Sequence, residues 1–121
     1  MTITLNHLIV PARDKVEAAK FFARIFGLQF GGAEGHFAPV RVNETLTLLF
    51  DNHTSFDVHH YAFHVTDEEF EAIFQRVKTA GLTYGSAPWS LEDGQLNDWG
   101  GRGVYFKDLD GHVLELMTVP Q

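Results

Sequence analysis

Two stretches of this chain follow the same order of patterns. Each has a strand-like apolar run, a segment with apolar residues at helical spacing, and short strand-like runs separated by turns. Residues 3–10 (ITLNHLIV) predict a strand. Val16, Ala19, Phe22, Ala23 and Phe26 then recur at helical spacing. With Asp14 as N-cap and Gly27 as stop, a helix is expected from Lys15 to Phe26. A strand near 28–31 should lead into a hairpin, 36–43 and 45–50, that turns at Asn43-Glu44. The polar loop 51–57 (DNHTSFD) ends the first unit. The second unit opens with a strand at 58–65. Thr66 or Asp67 caps a helix of about 68–80 that turns Phe70, Ile73, Phe74 and Val77 inward and stops at Gly81. A short strand at 82–85 precedes the irregular stretch 86–101 (SAPWSLEDGQLNDWGG), and a loop of that length is usually functional or mobile. The last hairpin, 102–107 and 113–119, turns through KDLDG with Asp110-Gly111 at its centre.

The order is therefore βαβββ twice, in one domain, with the first module at about 1–52 and the second at about 58–119. The repeat extends to single residues. His7 and His60 are 53 positions apart, as are Asp14 and Asp67 and Phe21 and Phe74, while Gly27-Leu28 recurs 54 positions on as Gly81-Leu82. Such a period indicates one supersecondary unit used twice. Each copy places a histidine in its first strand, and Glu115 lies in the last strand. Two imidazoles and a carboxylate can hold a divalent metal.

Strand parity sorts these residues by face. His60, Ala62 and His64 share a side with Val58. His59, Tyr61, Phe63 and Val65 share the other, largely apolar, side and suit packing under the helix. Glu115 lies with Val113 and Met117, opposite Leu114 and Leu116. Tyr105 lies with Gly103 and Lys107. One cavity face is thus expected to carry His7, His60, Glu115 and Tyr105, with His64 nearby. A carboxylate there needs a cation or hydrogen-bond donors to offset desolvation, and Lys107 and Arg102 are an alternative to a metal. His36, His53, His59 and His112 read as loop, turn or packing residues.

Composition narrows the function. A net charge of −7, with only nine dispersed Lys and Arg, argues against nucleic acid. The absence of cysteine excludes disulfides, thiolate metal sites and a cysteine nucleophile. No apolar run approaches the roughly 20 residues of a membrane span. The opening Met1-Thr2-Ile3-Thr4 lacks signal-peptide character, so the expected location is the cytoplasm. Eleven Phe, three Tyr and two Trp supply a core and leave some aromatics for a pocket.

Several segments resemble the vicinal oxygen chelate superfamily, which includes glyoxalase I, fosfomycin-resistance proteins, extradiol dioxygenases and bleomycin-resistance proteins. They are Asn6-His7-Leu8-Ile9-Val10, Ala18 to Leu28, His60-Tyr61-Ala62-Phe63 and the tail Val104 to Leu116. The resemblance covers the whole chain, and the tail is its most specific part. It implies an α+β fold in which two tandem βαβββ modules form a curved, mostly antiparallel mixed sheet around a cavity, with the helices outside. It also implies that His7, His60 and Glu115 bind one divalent metal per site (Fe, Mn, Ni, Co or Zn), and that two chains pair as a homodimer with shared sites. The implied activity is metal-dependent chemistry of the lyase, isomerase, thiol transferase or dioxygenase type on a small oxygen-bearing substrate. Tyr105 and His64 are the candidate catalytic side chains, and Trp89, Trp99 and Arg102 the candidate substrate contacts. The alternative is a non-catalytic protein that binds drugs or other small molecules. Three departures qualify the likeness. The strand Thr45 to Phe50 has no fourth ligand of the glyoxalase I kind. Ile9 stands where fosfomycin transferases carry a threonine. Two modules are present where classical extradiol dioxygenases have four.

Overall fold

The computed structural model describes residues 2–121. Its elements run β1 (His7–Ala12), α1 (Lys15–Phe26), β2 (Ala38–Arg41), β3 (Thr47–Asn52), β4 (His60–His64), α2 (Asp67–Thr79), β5 (Tyr84–Gly85), β6 (Asn97–Asp98), β7 (Arg102–Lys107) and β8 (Val113–Met117). The chain divides into two compact units, residues 1–57 and 58–121.

In the first unit β3 lies between β1 and β2, parallel to β1 and antiparallel to β2. Helix α1 starts where expected because the Asp14 carboxylate accepts from the Val16 and Glu17 amides, a cap worth about 1 kcal/mol. It ends at Gly27, whose φ of 71° is left-handed. Ala19, Phe22, Ala23 and Ile25 are buried as the helix packs on the sheet. The strand expected near 28–31 does not form. That segment makes no ladder, and among the described residues between α1 and β2 the only pairing is a bridge between Glu34 and Phe37. Asn43 closes the β2–β3 turn, its Oδ1 accepting from the Thr45 and Leu46 amides. At the far end of β3, Asp51 accepts from His36 Nε2 at 3.0 Å and from His53 Nε2 at 3.1 Å. This clamp ties the 28–37 segment to the strand.

In the second unit the order is β4-β8-β7-β5, with β6 also on β7. β4 runs parallel to β8, and the other pairs are antiparallel. Helix α2 begins in a capping box: the Glu69 amide donates to Thr66 Oγ1 and the Thr66 amide donates back to Glu69 Oε1. Phe70, Ile73, Phe74 and Val77 are buried, as their spacing predicts. The long 86–101 stretch is tied down rather than loose. Asp93 accepts from the Ser86 and Gln95 amides, and Asn97 Nδ2 donates to Ser86 O at 2.9 Å. Gly85 is required because a Cβ there would stand 1.8 Å from Ser90 O. Among the described residues no helix is long and apolar enough to cross a membrane.

Candidate metal centre and cavity

The parallel β4–β8 ladder positions the key pair. His60 is opposite Val113 and Ala62 is opposite Glu115, so the two functional side chains leave neighbouring strands on the same face. His60 Nε2 lies 2.9 Å from Glu115 Oε1. The imidazole is half-exposed and the carboxylate is nearly buried, with side-chain exposures of 45% and 7%. Across the antiparallel ladder Tyr105 faces Glu115 and its hydroxyl donates to the carboxylate. Burial, first, and then the neighbouring Glu115 raise the Tyr105 pKa well above the usual phenol range. Tyr105 therefore remains a protonated donor through neutral pH. The His60 and Tyr105 rings stand 5.7 Å apart.

Glu115 thus has two side-chain donors. Hydrogen bonds to a charged group each contribute about 1.5–3 kcal/mol. Desolvating a carboxylate costs several kcal/mol, and two such donors offset a cost of that size. The alternative sequence reading, compensation by Lys107 or Arg102, is not what this unit builds. Lys107 lines a separate hollow with Leu91 and Glu92. Arg102 donates to Glu71 at 2.7 Å, reaches Asp67 and lies over the Phe70 ring, 4.6 Å from its centroid. Helix α2 therefore holds Arg102, which is not among the described residues lining the cavity beside Glu115. Strand parity does not reveal which acids a neighbouring helix presents.

His64 and Glu115 open on a cavity of about 510 Å³ that is also lined by Ala62, Trp99, Tyr105, Met117, Pro120 and Gln121. His64 is on the predicted face, with Nε2 3.3 Å from Thr118 O. No Lys or Arg lines the cavity. Trp99 meets the Tyr105 ring edge-on at 6.2 Å, and Trp89 lies against Trp99 at 6.3 Å. Trp89 itself borders a neighbouring hollow with Pro88, Leu91 and Lys107. The sequence reading missed the contribution of the C-terminal segment. Gln121 Nε2 donates to Trp99 O at 3.3 Å, which holds the tail against the tryptophan strand. No periodic pattern marks that contact.

His7 belongs to the first unit. Its Nδ1 donates to Asn6 Oδ1 at 2.8 Å, which leaves Nε2 as the unprotonated ring nitrogen. Asn6 precedes His7 in the sequence motif, and that adjacency is the signal for the contact. Ile9, on the same strand face as His7, and Leu5, just before the strand, are 50% and 61% exposed. Among the described residues no three His, Asp or Glu side chains gather into a group that could hold a metal ion. The chain brings together His60 and Glu115, and no third ligand joins them.

The donor set nonetheless suits a divalent metal: His60 Nε2 and Glu115 Oε1 sit within one coordination shell of each other, and His7 carries an oriented imidazole. Residues 4–116 match the model of the "Glyoxalase/Bleomycin resistance protein/Dioxygenase superfamily". The chain belongs to that superfamily. Among solved structures it is similar to oxidase ChaP-H2, at 43% identity and a TM-score of 0.92 over 99% of this chain and 96% of that one. Oxidase ChaP-H1 is similar at 40% identity and a TM-score of 0.91 over 98% of both chains. Glutathione transferase FosA of Serratia marcescens is 30% identical over 96% of this chain and 81% of its own length. Two of these three relatives are named as oxidases and one as a glutathione transferase.

Proposed function

We propose that this protein is a divalent-metal-dependent enzyme that oxidises a small, oxygen-bearing substrate, with dioxygen as the oxidant. The observation that carries the reading is the buried Glu115 carboxylate at the cavity wall, 2.9 Å from His60 Nε2 and capped by the Tyr105 hydroxyl. His60 and Glu115 of one copy would hold the metal together with His7 of a second copy in a homodimer. Two features support that division. His7 carries an imidazole oriented by Asn6, and the apolar Leu5 and Ile9 on either side of it are exposed. An apolar face of this kind suits a self-complementary interface. Three protein ligands of this type suit Fe(II), and a bound metal supplies Lewis-acid stabilisation of substrate oxygens and open positions for them.

The chain's own residues do the rest. Tyr105 stays protonated and orients the Glu115 carboxylate. It also places a hydroxyl beside bound substrate. His64, at the cavity edge, serves as a proton acceptor. Trp99 offers an apolar wall and shields the site from water. Trp89 extends that wall outward through its contact with Trp99. The cavity has no Lys or Arg to grip a phosphonate, and Ile9 cannot hydrogen-bond to an epoxide. Those facts, with the 40–43% identity to two oxidases, favour oxidation over thiol transfer.

The test begins with metal analysis of protein purified without an affinity tag, followed by calorimetric titration with Fe(II), Mn(II), Ni(II) and Zn(II). One metal per chain is expected, and no binding of any of the four would end the proposal. Dioxygen uptake with a panel of phenols, set against glutathione conjugation of an epoxide phosphonate, decides the reaction class. Conjugation without oxygen uptake would replace oxidation with thiol transfer.

A further inference from the structure

The turn before β8 contains a buried polar residue that the metal centre itself does not use. His112 is fully buried, and its Nδ1 accepts from the His59 amide at 3.0 Å. The His59 carbonyl accepts from the Val113 amide at 2.8 Å. His59, the residue before His60, is therefore pinned at both its N–H and its C=O, by the last residue of the β7–β8 turn and the first of β8. His60 is the first residue of β4, the point where a strand frays most easily. Its ring must still meet a carboxylate on the neighbouring strand at 2.9 Å.

The ring that does the pinning is itself fixed. Asp108 Oδ1 accepts from the Asp110 and His112 amides, each at 2.9 Å, and the Asp108 amide donates to His112 O at 3.0 Å. Gly111 lets the turn pass through a φ of 89°, a conformation that L side chains rarely adopt. The Tyr61 ring meets the His112 ring at 5.6 Å and 64°, and the His59 ring stacks on it at 5.9 Å. We propose that His112 is a positioning residue for the metal centre: by holding the His59 amide, it fixes where β4 begins and so aims His60 at Glu115. The Asp108–His112 turn then acts as one device: the Asp108 carboxylate holds the His112 backbone amide, and the His112 ring holds the residue before a ligand strand. The reference to metal rests on the functional reading above; the aiming of His60 does not.

Three variants test this, with Mn(II) and Ni(II) titrations of tag-free protein and measurements on metal-free protein at fixed pH. His112→Leu keeps apolar bulk and removes the acceptor. His112→Asn puts an amide oxygen near the Nδ1 position. Val77→Ala, in the core of α2, lowers stability without touching the turn. His112→Leu is expected to weaken metal binding about tenfold, at the lower end of what loss of an orienting contact costs. It should also speed hydrogen exchange at the His59 amide and shift the ¹⁵N resonance of His60 Nε2. His112→Asn should return all three toward wild type, and Val77→Ala should change none of them. If His112→Leu does not fold, Asp108→Ala releases the same turn and should produce the same three changes.

Wild-type metal affinity in a folded His112→Leu protein would overturn the proposal, as would an equal loss in Val77→Ala. If wild-type protein binds no metal, the functional reading fails alone. The proposal is then decided by the His60 resonance, which must move in His112→Leu and recover in His112→Asn; an unmoved resonance defeats it.

Discussion

The two units share a frame and differ in what they hang on it. In each, the opening strand runs parallel to the last strand, and the opening histidine starts the ladder. Two residues later, Ile9 faces Leu49 in the first unit and Ala62 faces Glu115 in the second. The same register position is thus a hydrocarbon in one copy and a carboxylate in the other. The first unit offers a single imidazole on an exposed apolar face. The second offers an imidazole–carboxylate pair, a phenol and two tryptophans. In the proposed metal site the ligands are divided between the two kinds of unit.

Replacing the carboxylate should have the largest effect. Glu115→Gln keeps the shape and removes the charge, and metal affinity by calorimetry should fall by more than about 100-fold, beyond the range of an orienting contact. Leu49→Ala, at the matching position of the first unit, should leave it unchanged. An equal loss in both would show that the units do not differ in the way their ladders suggest.

Mixing two defective proteins sharpens the comparison further. His7→Ala and Glu115→Ala damage different units. In a dimer with shared sites, each mixed pair has one site with both defects and one with neither. Subunit exchange should then restore roughly half of the metal sites in each mixed dimer. Proven exchange with no restoration, or a monomer by sedimentation, would place all ligands within one chain.

A smaller effect is expected at Tyr105. Because burial and Glu115 raise its pKa, its phenol should not ionise with an ordinary tyrosine as pH rises through 10. Neutral Tyr105 favours the folded state below its unfolded pKa, and that contribution is lost as pH rises further. Ultraviolet titration of phenolate should show two late phenols in wild type, Tyr61 and Tyr105, and only one in Tyr105→Phe. That substitution should cost about 1 kcal/mol by denaturant melting, the net value of one hydrogen bond.

The smallest effect lies in the first unit. Burial works to raise the Asp51 pKa, but the hydrogen bond from His53 and the charge of His36 outweigh it and hold the carboxyl below the usual range. Such a group adds stability above its unfolded pKa, near 3.9, and loses it as pH falls through the lower folded value. Asp51→Asn should therefore lower the melting temperature at neutral pH, and the gap from wild type should narrow in acid. Metal affinity should not follow, since the clamp shares no residue with the proposed ligands.

The sequence by itself determined what depends on near neighbours. Both helices run close to their expected bounds because Asp14, Thr66 and Glu69 cap them and Gly27 and Gly81 follow them. Parity along β4 and β8 correctly turned His60, His64 and Glu115 away from the buried Leu114 and Leu116. The repeat and the tail motif showed the family.

Tertiary structure decided what depends on distant partners. His60 and Glu115 are 55 residues apart, and only the parallel β4–β8 register brings their side chains to hydrogen-bonding distance. Arg102, a candidate substrate contact in the sequence, is held by acids on α2, 31 and 35 residues away. The strand near 28–31 failed because a strand needs a ladder partner, which local composition cannot supply. His112, read as a turn residue, holds the amide of a residue 53 positions earlier. A hydrogen bond's direction and partner are fixed by packing, and the energy of a buried polar group depends on that partner far more than on the residue's own identity.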